Sequence, residues 1–166
     1  MWYDLYQYNF LWLILKKSMT NQYELRSTIK KGEGIFTTSA FKAEEIVMQG
    51  IIKEILPEND SHASQIDKNT FVRHEGLIPK VNHSCNPNCG VYVNETGGHD
   101  LVAIREISVD EEVTFDYAMR NYTVNFFPNC RCGSENCRTK ITGWKDLPKE
   151  IREKYKGFVA PYLLEL

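Results

Sequence analysis

Four cysteines, divided into one plus three, restrict how this chain can fold. Cys85 stands alone in residues 82–88 (NHSCNPN), whereas Cys130, Cys132 and Cys137 share the eight-residue segment CRCGSENC. A tetrahedral zinc site takes four ligands such as thiolates, so folding would have to bring the distant cysteine to the other three. The sequence therefore predicts a zinc site that joins two separate loops, with an active site beside them.

Two other interpretations of these cysteines are open. Reduced cysteines often lie in a hydrophobic core, but the residues between the three clustered cysteines are polar, and Gly133 supplies a turn that a chelating loop needs. Disulfides need an oxidising compartment, and no cleavable secretory signal is visible in the sequence. The spacing favours zinc, and we interpret the fifth cysteine, Cys89, as structural.

Length and composition are those of one ordinary globular domain. The chain has 166 residues, of which 42% are hydrophobic and 25% charged. Its formal net charge of -2 argues against a general nucleic-acid binder, because neutralising a phosphate backbone needs clustered Lys and Arg. We expect no direct binding to nucleic acid, and we expect a monomer.

The first fifteen residues are aromatic and apolar. Their longest apolar run, residues 10–15, is shorter than the roughly 20 residues of a membrane-spanning helix, so no span is expected. The positive charges follow the run, unlike those of a signal peptide. Residues 1–22 are expected to form an extension, either disordered or an extra helix, and an interfacial segment or a start at Met19 is also open. An intracellular location is expected, in the cytoplasm or the nucleus.

Beyond this extension the pattern predicts short strands separated by turns, and hence a mostly β domain. Apolar, β-branched residues with Gly50 among them predict one bent strand over residues 46–55, and residues 60–70 read as a polar loop or short helix. Other expected elements are a hairpin of residues 91–93 and 101–104, a strand at 113–117, and a helix over about 147–155.

Three further short segments are candidates for function. Residues 31–36 (KGEGIF) contain two glycines one residue apart, which form either a plain tight turn or a backbone cradle for a ligand. They lack the third glycine and the helix of a dinucleotide site. Residues 82–88 alone suggest an Asx-type turn, and residues 111–117 (EEVTFDY) suggest a half-buried strand.

Taken together and in this order, the motifs resemble the SET-domain family of protein-lysine methyltransferases with a post-SET zinc loop. The resemblance covers about residues 23–146. It implies small twisted sheets, short helices and a pseudoknot-like crossing in which residues 82–88 thread beneath a loop near Tyr117. It divides the chain into a SET domain (23–124), a post-SET zinc loop (125–146) and a C-terminal helical tail (147–166).

The resemblance also implies an activity and its site. S-adenosylmethionine would donate a methyl group to a lysine of a protein or peptide, entering from the opposite face through a narrow channel. Tyr117 is the expected catalytic residue, and Phe115 in the channel is expected to permit more than one methylation. Zinc would be structural, bound by Cys85, Cys130, Cys132 and Cys137. The expected cofactor-binding residues are Lys31, Gly32, Glu33, Gly34, Ile35, Phe36, Asn82, His83 and Tyr117.

The family pattern is not matched everywhere. Lys80 and Val81 precede Asn82 where many histone-directed members have Arg-Phe, and no cysteine cluster stands upstream. The substrate is therefore open between histone and other proteins. The alternatives to an enzyme are a catalytically silent SET module that binds a peptide or partner, and a plain zinc-stabilised interaction domain.

Overall fold

The computed structural model describes residues 22–127 and 129–166. Residues 1–21, which include nearly all of the expected N-terminal extension, lie outside this part of the chain. The described strands are β1 (Tyr23–Thr28), β2 (Gly32–Thr37), β3 (Ile46–Met48), β4 (Ile52–Leu56), β5 (Ser64–Asp67), β6 (Thr70–His74), β7 (Asn82–His83), β8 (Cys89–Val93), β9 (His99–Ala103) and β10 (Glu112–Phe115). The described helices are α1 (Lys149–Lys154) and 3₁₀ helices at Ile78–Lys80, Tyr117–Met119, Trp144–Asp146 and Pro161–Glu165. This composition confirms the mostly β fold class. No helix in the described residues is long and apolar enough to cross a membrane.

The larger sheet has the order β1-β2-β10-β8-β9-β3, and β7 adds to β10 in parallel. The expected hairpin is confirmed as β8 and β9, which pair antiparallel from Cys89 opposite Ala103 to Val93 opposite His99. Inward-facing side chains such as Ile35, Val91, Leu101 and Phe115 are fully buried and form the core behind this sheet.

A second sheet has the order β4-β6-β5. Its strands differ from two predicted elements, the bent strand over residues 46–55 and the loop or helix over residues 60–70. The single bent strand predicted over residues 46–55 is wrong, because β3 and β4 belong to different sheets. Gly50 lies between them and packs against the backbone of His99, so closely that a Cβ atom would lie 2.2 Å from the His99 carbonyl oxygen. The chain turns where only a glycine fits.

The loop or helix predicted over residues 60–70 is also wrong, since β5 and the start of β6 lie there. Its polar side chains are buried with partners: Ser64 Oγ lies 2.9 Å from His74 Nδ1, and Gln65 Oε1 accepts a hydrogen bond from Tyr122 N at 3.0 Å. Buried polar groups that are hydrogen-bonded are compatible with a strand. The polarity of residues 60–70 was therefore not sufficient to predict a loop.

The strand predicted to run through Tyr117 ends at Phe115. Asp116 caps the 3₁₀ helix that follows, its Oδ1 accepting a hydrogen bond from Ala118 N at 3.1 Å. The C-terminal tail packs on this helix, where Ala160 N donates to Met119 O at 2.8 Å and Tyr162 Oη donates to Arg120 O at 2.9 Å. The tail therefore supports the segment that carries Tyr117.

Candidate functional site

Two of the sequence motifs run side by side in the structure. In the parallel pair of β7 with β10, Asn82 lies opposite Thr114 and His83 opposite Phe115. Ser84 N donates to Phe115 O at 3.1 Å, and Tyr117 Oη donates to Val81 O at 3.2 Å. This close pairing brings residues 81–84 against residues 114–117, the segments that the predicted crossing joins.

The four predicted metal ligands lie together. The Sγ atoms of Cys85, Cys130, Cys132 and Cys137 are all within 4.8 Å of one another, and those of Cys85 and Cys130 are 3.8 Å apart. Tetrahedral zinc with Zn–S bonds of about 2.3 Å places its sulfurs about 3.8 Å apart. The donor set therefore fits a zinc ion. Cys89 lies elsewhere, fully buried in β8.

Hydrogen-bond donors surround these sulfurs. Arg138 N points at Cys85 Sγ and Thr139 N at Cys137 Sγ, each at 3.4 Å, and Ser134 Oγ lies 3.0 Å from Cys132 Sγ. Burial raises the pKa of Cys85 to about 11. Burial opposes the shift at Cys132, but hydrogen bonds, first of all with Ser134, lower its pKa to about 6. Such donors stabilise thiolates, the form in which cysteine binds a metal.

His83 connects the cysteine cluster to Tyr117. Burial lowers the pKa of His83 to about 4, so the ring is neutral at pH 7. Its Nδ1 accepts a hydrogen bond from Tyr117 N at 3.3 Å, which leaves the ring proton on Nε2, 3.4 Å from Cys85 Sγ. One imidazole thus contacts both a metal ligand and the backbone of the expected catalytic residue.

Tyr117 lies within a group of aromatic rings. Its ring centroid is 5.1 Å from that of Phe115, 5.3 Å from His83 and 5.6 Å from Phe127. Burial raises the pKa of Tyr117, so the side chain is a neutral phenol at physiological pH. Phe115 and Tyr117 do meet, but because the chain turns at Asp116 and not because both residues lie on one face of a strand.

Three cavities meet at Tyr117 and Phe127, which line all of them. The large cavity has a volume of about 420 Å³, the side cavity about 180 Å³, and the small cavity about 10 Å³. The large cavity is within the range of small-molecule sites. Its described lining residues are Lys30, Lys31, Gly32, Asn82, His83, Tyr117, Phe127, Asn129, Arg131, Cys132 and Ile141.

The large cavity gathers the predicted cofactor residues only in part. Lys31, Gly32, Asn82, His83 and Tyr117 line it. Glu33 lines the side cavity instead. Three of the predicted residues and the channel residue line none of the three cavities: Gly34, Ile35, Phe36 and Phe115.

The positions of these non-lining residues have physical reasons. Ile35 faces the core, and the ring of Phe36 is covered by the Arg26 guanidinium at 5.3 Å. A Cβ atom on Gly34 would lie 2.9 Å from Asn82 Nδ2, so this glycine gives Asn82 room. Asn82 then donates to Glu33 O at 2.7 Å and to Glu112 Oε1 at 2.8 Å, while Lys31 pairs with the other Glu112 oxygen.

The segment before and within the cysteine cluster supplies lining residues that the sequence analysis missed, among them Phe127, Asn129 and Arg131. The pair Phe126-Phe127, directly before three clustered cysteines, was the available signal. An aromatic pair in a polar loop has to pack on something, and here Phe127 packs on Tyr117.

The fold and this site together define a SET domain. The sequence model of that family, described as "SET domain", matches residues 32–118. This is just over half of the chain, and the protein belongs to the SET-domain family.

Curated relatives carry consistent names. The chain is 29% identical over 150 residues to "Probable histone-lysine N-methyltransferase set-23" of Caenorhabditis briggsae, covering 75% of this chain and 62% of that protein. It is 28% identical over 125 residues to human "Histone-lysine N-methyltransferase SETD1B", covering 63% of this chain and 6% of that protein. The chain thus spans less than two thirds of the worm relative and a small part of the human one.

Solved structures are similar in fold. A structure of KRYPTONITE in complex with mCHG DNA and SAH shares 25% identity and a TM-score of 0.56, covering 72% of this chain and 28% of that one. A second KRYPTONITE structure, in complex with mCHH DNA, an H3(1-15) peptide and SAH, gives 23% identity and a TM-score of 0.58, covering 72% of this chain and 29% of that one.

Proposed function

We propose that this protein transfers methyl groups from S-adenosylmethionine to the side-chain amine of lysine in a protein substrate. The observation that carries the proposal is the position of Tyr117, whose phenol lies where the large cavity meets the two smaller ones. The names of the relatives support the reaction class and make histones the first substrates to test.

The large cavity suits the donor. SAH is bound by the 25% identical KRYPTONITE structure, and it is the form of this cofactor after methyl transfer. The lysine and arginine side chains in the described lining of this cavity, Lys30, Lys31 and Arg131, favour a carboxylate-bearing ligand, and no Asp or Glu is among the described lining residues. When bound, S-adenosylmethionine supplies a methyl group activated by a sulfonium. Lys31, Gly32, Asn82 and His83 would contact it.

The acceptor must be a neutral amine. An unperturbed lysine, with a pKa of about 10.4, is deprotonated in fewer than about one molecule in a thousand at pH 7. A dry site next to a positive charge disfavours the ammonium, so no strong base is required. The ammonium proton would leave to water first. The amine lone pair would then form the N–C bond while the methyl–sulfur bond breaks and sulfur keeps its electron pair.

Tyr117 would then orient this amine. Its hydroxyl donates a hydrogen bond to Val81 O at 3.2 Å. The lone pairs of the phenol oxygen can therefore accept a hydrogen bond from the amine nitrogen of the substrate lysine. Because the hydroxyl stays protonated, it acts by position and polarity and not as a base.

We further propose that the product extends beyond monomethyl-lysine. Phe115 is fully buried against Tyr117 and carries no hydroxyl that would fix a water or the amine in one orientation. A phenyl ring in this place leaves the amine free to turn and accept another methyl group.

The cysteine cluster would act on this reaction through structure. Zinc bound by Cys85, Cys130, Cys132 and Cys137 would fix the loop that carries Phe127, Asn129 and Arg131, and with it one wall of the large cavity. Histone substrates would place the protein inside the cell.

The direct test is incubation of the purified chain with an isotopically labelled methyl donor and either core histones or a total cell extract. We expect label on lysine, located by mass spectrometry, and strongly reduced label with the Tyr117→Phe variant. A chain that binds the donor but labels nothing would be a silent SET module, and a chain that does not bind the donor would be a zinc-stabilised interaction domain. Either result would refute the proposal.

A further inference from the structure

Arg120 is a buried cation beside the site, and it has no carboxylate partner among the residues that the structure describes. Its side chain is 4% exposed, and its Nε and Nη1 atoms have no hydrogen-bond partner among the described residues. Burial lowers the pKa of Arg120 to about 10, so the guanidinium is still charged at pH 7. A buried charge without a counter-ion is costly, and proteins keep such groups mainly where they have a function.

The guanidinium is directed at the aromatic group around Tyr117. Its central carbon lies 4.6 Å from the centroid of the Phe115 ring, which itself lies 5.1 Å from that of Tyr117. Arg120 and Tyr117 also line the same small cavity, together with Phe127. The guanidinium carbon is therefore within about 10 Å of the centroid of the Tyr117 ring, the residue that we propose orients the acceptor amine.

Among the described residues, the carboxylates nearby are paired with other cations. Asp60, which lines the small cavity, pairs with Arg73 at 2.6 Å. The cations Lys30 and Arg131 line the large cavity at Tyr117, and their charge has the same sign as that of Arg120. Glu112 pairs with Lys31, and Asp116 pairs with Arg138 at 2.7 Å. The remaining titratable groups that face Arg120 or Tyr117 are the hydroxyls of Tyr117 and Tyr162 and the imidazoles of His74, His83 and His99. Burial lowers the pKa of each of these imidazoles to about 4 or below, so none carries a charge at pH 7. The field of Arg120 is not cancelled locally.

We propose that Arg120 supplies a fixed positive charge beside the acceptor site and thereby favours the neutral form of the bound substrate lysine. The inference rests on the proposed methyl transfer. Arg120 acts without touching the reacting atoms and is a positioning residue for the proton equilibrium of the amine. A like charge at about 10 Å, at an effective dielectric constant near 20, shifts such an equilibrium by about one pH unit.

The test is the pH dependence of kcat at saturating donor and peptide, because kcat reports ionisations in the bound complex. In a plot of kcat against pH, kcat rises as the bound amine loses its proton. In Arg120→Met this rise should move to higher pH by about one unit. At pH values below the rise, kcat of the variant should be about tenfold lower than that of the native protein, and at pH values above it the two should be equal. In Arg120→Lys, kcat should rise at the same pH as in the native protein. The matched control is Arg152→Met, which removes a guanidinium lying 6.0 Å from the ring of Trp144 and lining none of the three cavities.

A second measurement does not depend on turnover. The pKa of the amine in a peptide with an isotopically labelled lysine, bound to the full chain with SAH, is followed by NMR for the native protein and for Arg120→Met or Arg120→Gln. A higher amine pKa in these variants supports the proposal. If neither the pH at which kcat rises nor the amine pKa changes in the variants, the proposal for Arg120 is wrong, even if activity falls equally at every pH. A native chain that labels no lysine refutes the proposed function instead, which is a separate result.

Discussion

Arg138, one residue beyond the last clustered cysteine, reaches the fully buried carboxylate of Asp116, with 2.7 Å between Nη2 and Oδ2. Asp116 also accepts hydrogen bonds from Tyr155 Oη at 3.0 Å and from Ala118 N. The residue before Tyr117 is therefore joined to both the cysteine loop and the C-terminal tail. The loop of clustered cysteines is thus coupled to the segment of Tyr117 by an ion pair as well as by the approach of Cys85 to the other three cysteines.

The first prediction concerns this ion pair. Arg138→Met should lower the free energy of unfolding by about 3 kcal/mol, because it leaves a buried carboxylate without its cation. Urea denaturation measures the change. The control is Arg26→Met, which breaks the more exposed pairs with Glu24 and Asp110 and should cost much less, because solvent screens these charges. Equal losses in the two variants would contradict a special role for Arg138.

The second prediction concerns metal removal. The native protein should contain one zinc ion per chain by elemental analysis, and chelation should abolish donor binding measured by calorimetry, because the loop wall of the large cavity is released. Far-ultraviolet circular dichroism should show that the β core persists. Cys132→Ser should mimic chelation, whereas Cys89→Ala should retain the ion. Full turnover in a metal-free sample would rule out this role.

The third prediction tests Tyr117. Replacement by Phe removes the hydroxyl but keeps the ring that packs on Phe115 and Phe127, so kcat should fall about 100-fold while donor binding stays close to native. Steady-state kinetics and calorimetry separate the two effects. Loss of donor binding with an unchanged kcat would assign the hydroxyl to the cofactor and not to the amine.

The fourth prediction tests product multiplicity. Phe115→Tyr should shift the product toward monomethyl-lysine, because a hydroxyl at this place can hold a water and fix the amine. Mass spectrometry of the peptide product, sampled over time, gives the distribution. If the variant makes the same mixture as the native chain, Phe115 does not control the number of methyl groups.

The fifth prediction is a loss of stability in acid. Burial lowers the pKa of His74 to about 4 and of His99 to about 3, below the ordinary 6.5. At pH values between the folded and the unfolded pKa of each ring, the unfolded chain binds more protons than the folded chain. The free energy of unfolding therefore falls as the pH falls below 6.5. By pH 5 the loss should be about 2 kcal/mol for each ring. Urea denaturation across this pH range measures the loss of stability.

Local patterns anticipated much of this molecule. Turn and alternation signals located the hairpin of β8 and β9. The cysteine spacing located a four-thiol cluster in which Cys85 joins three cysteines that follow it by 45 or more residues. These features succeed because hydrophobic alternation, glycine turns and thiolate chemistry depend on short segments. Contiguous strings of residues also singled out Asn82, His83 and Tyr117, which line the large cavity.

Tertiary structure decided the rest, because it depends on contacts between distant segments. Gly50 separates β3 from β4 because the backbone of His99 occupies the space beside it, and Ser64 lies in a strand because His74 satisfies its hydroxyl. Phe127 lines the cavity because the loop folds back on Tyr117. The sequence by itself determined the types of chemical group and their order. Folding decided which of them meet. It also buried the charge of Arg120 with no counter-ion in the described part of the chain.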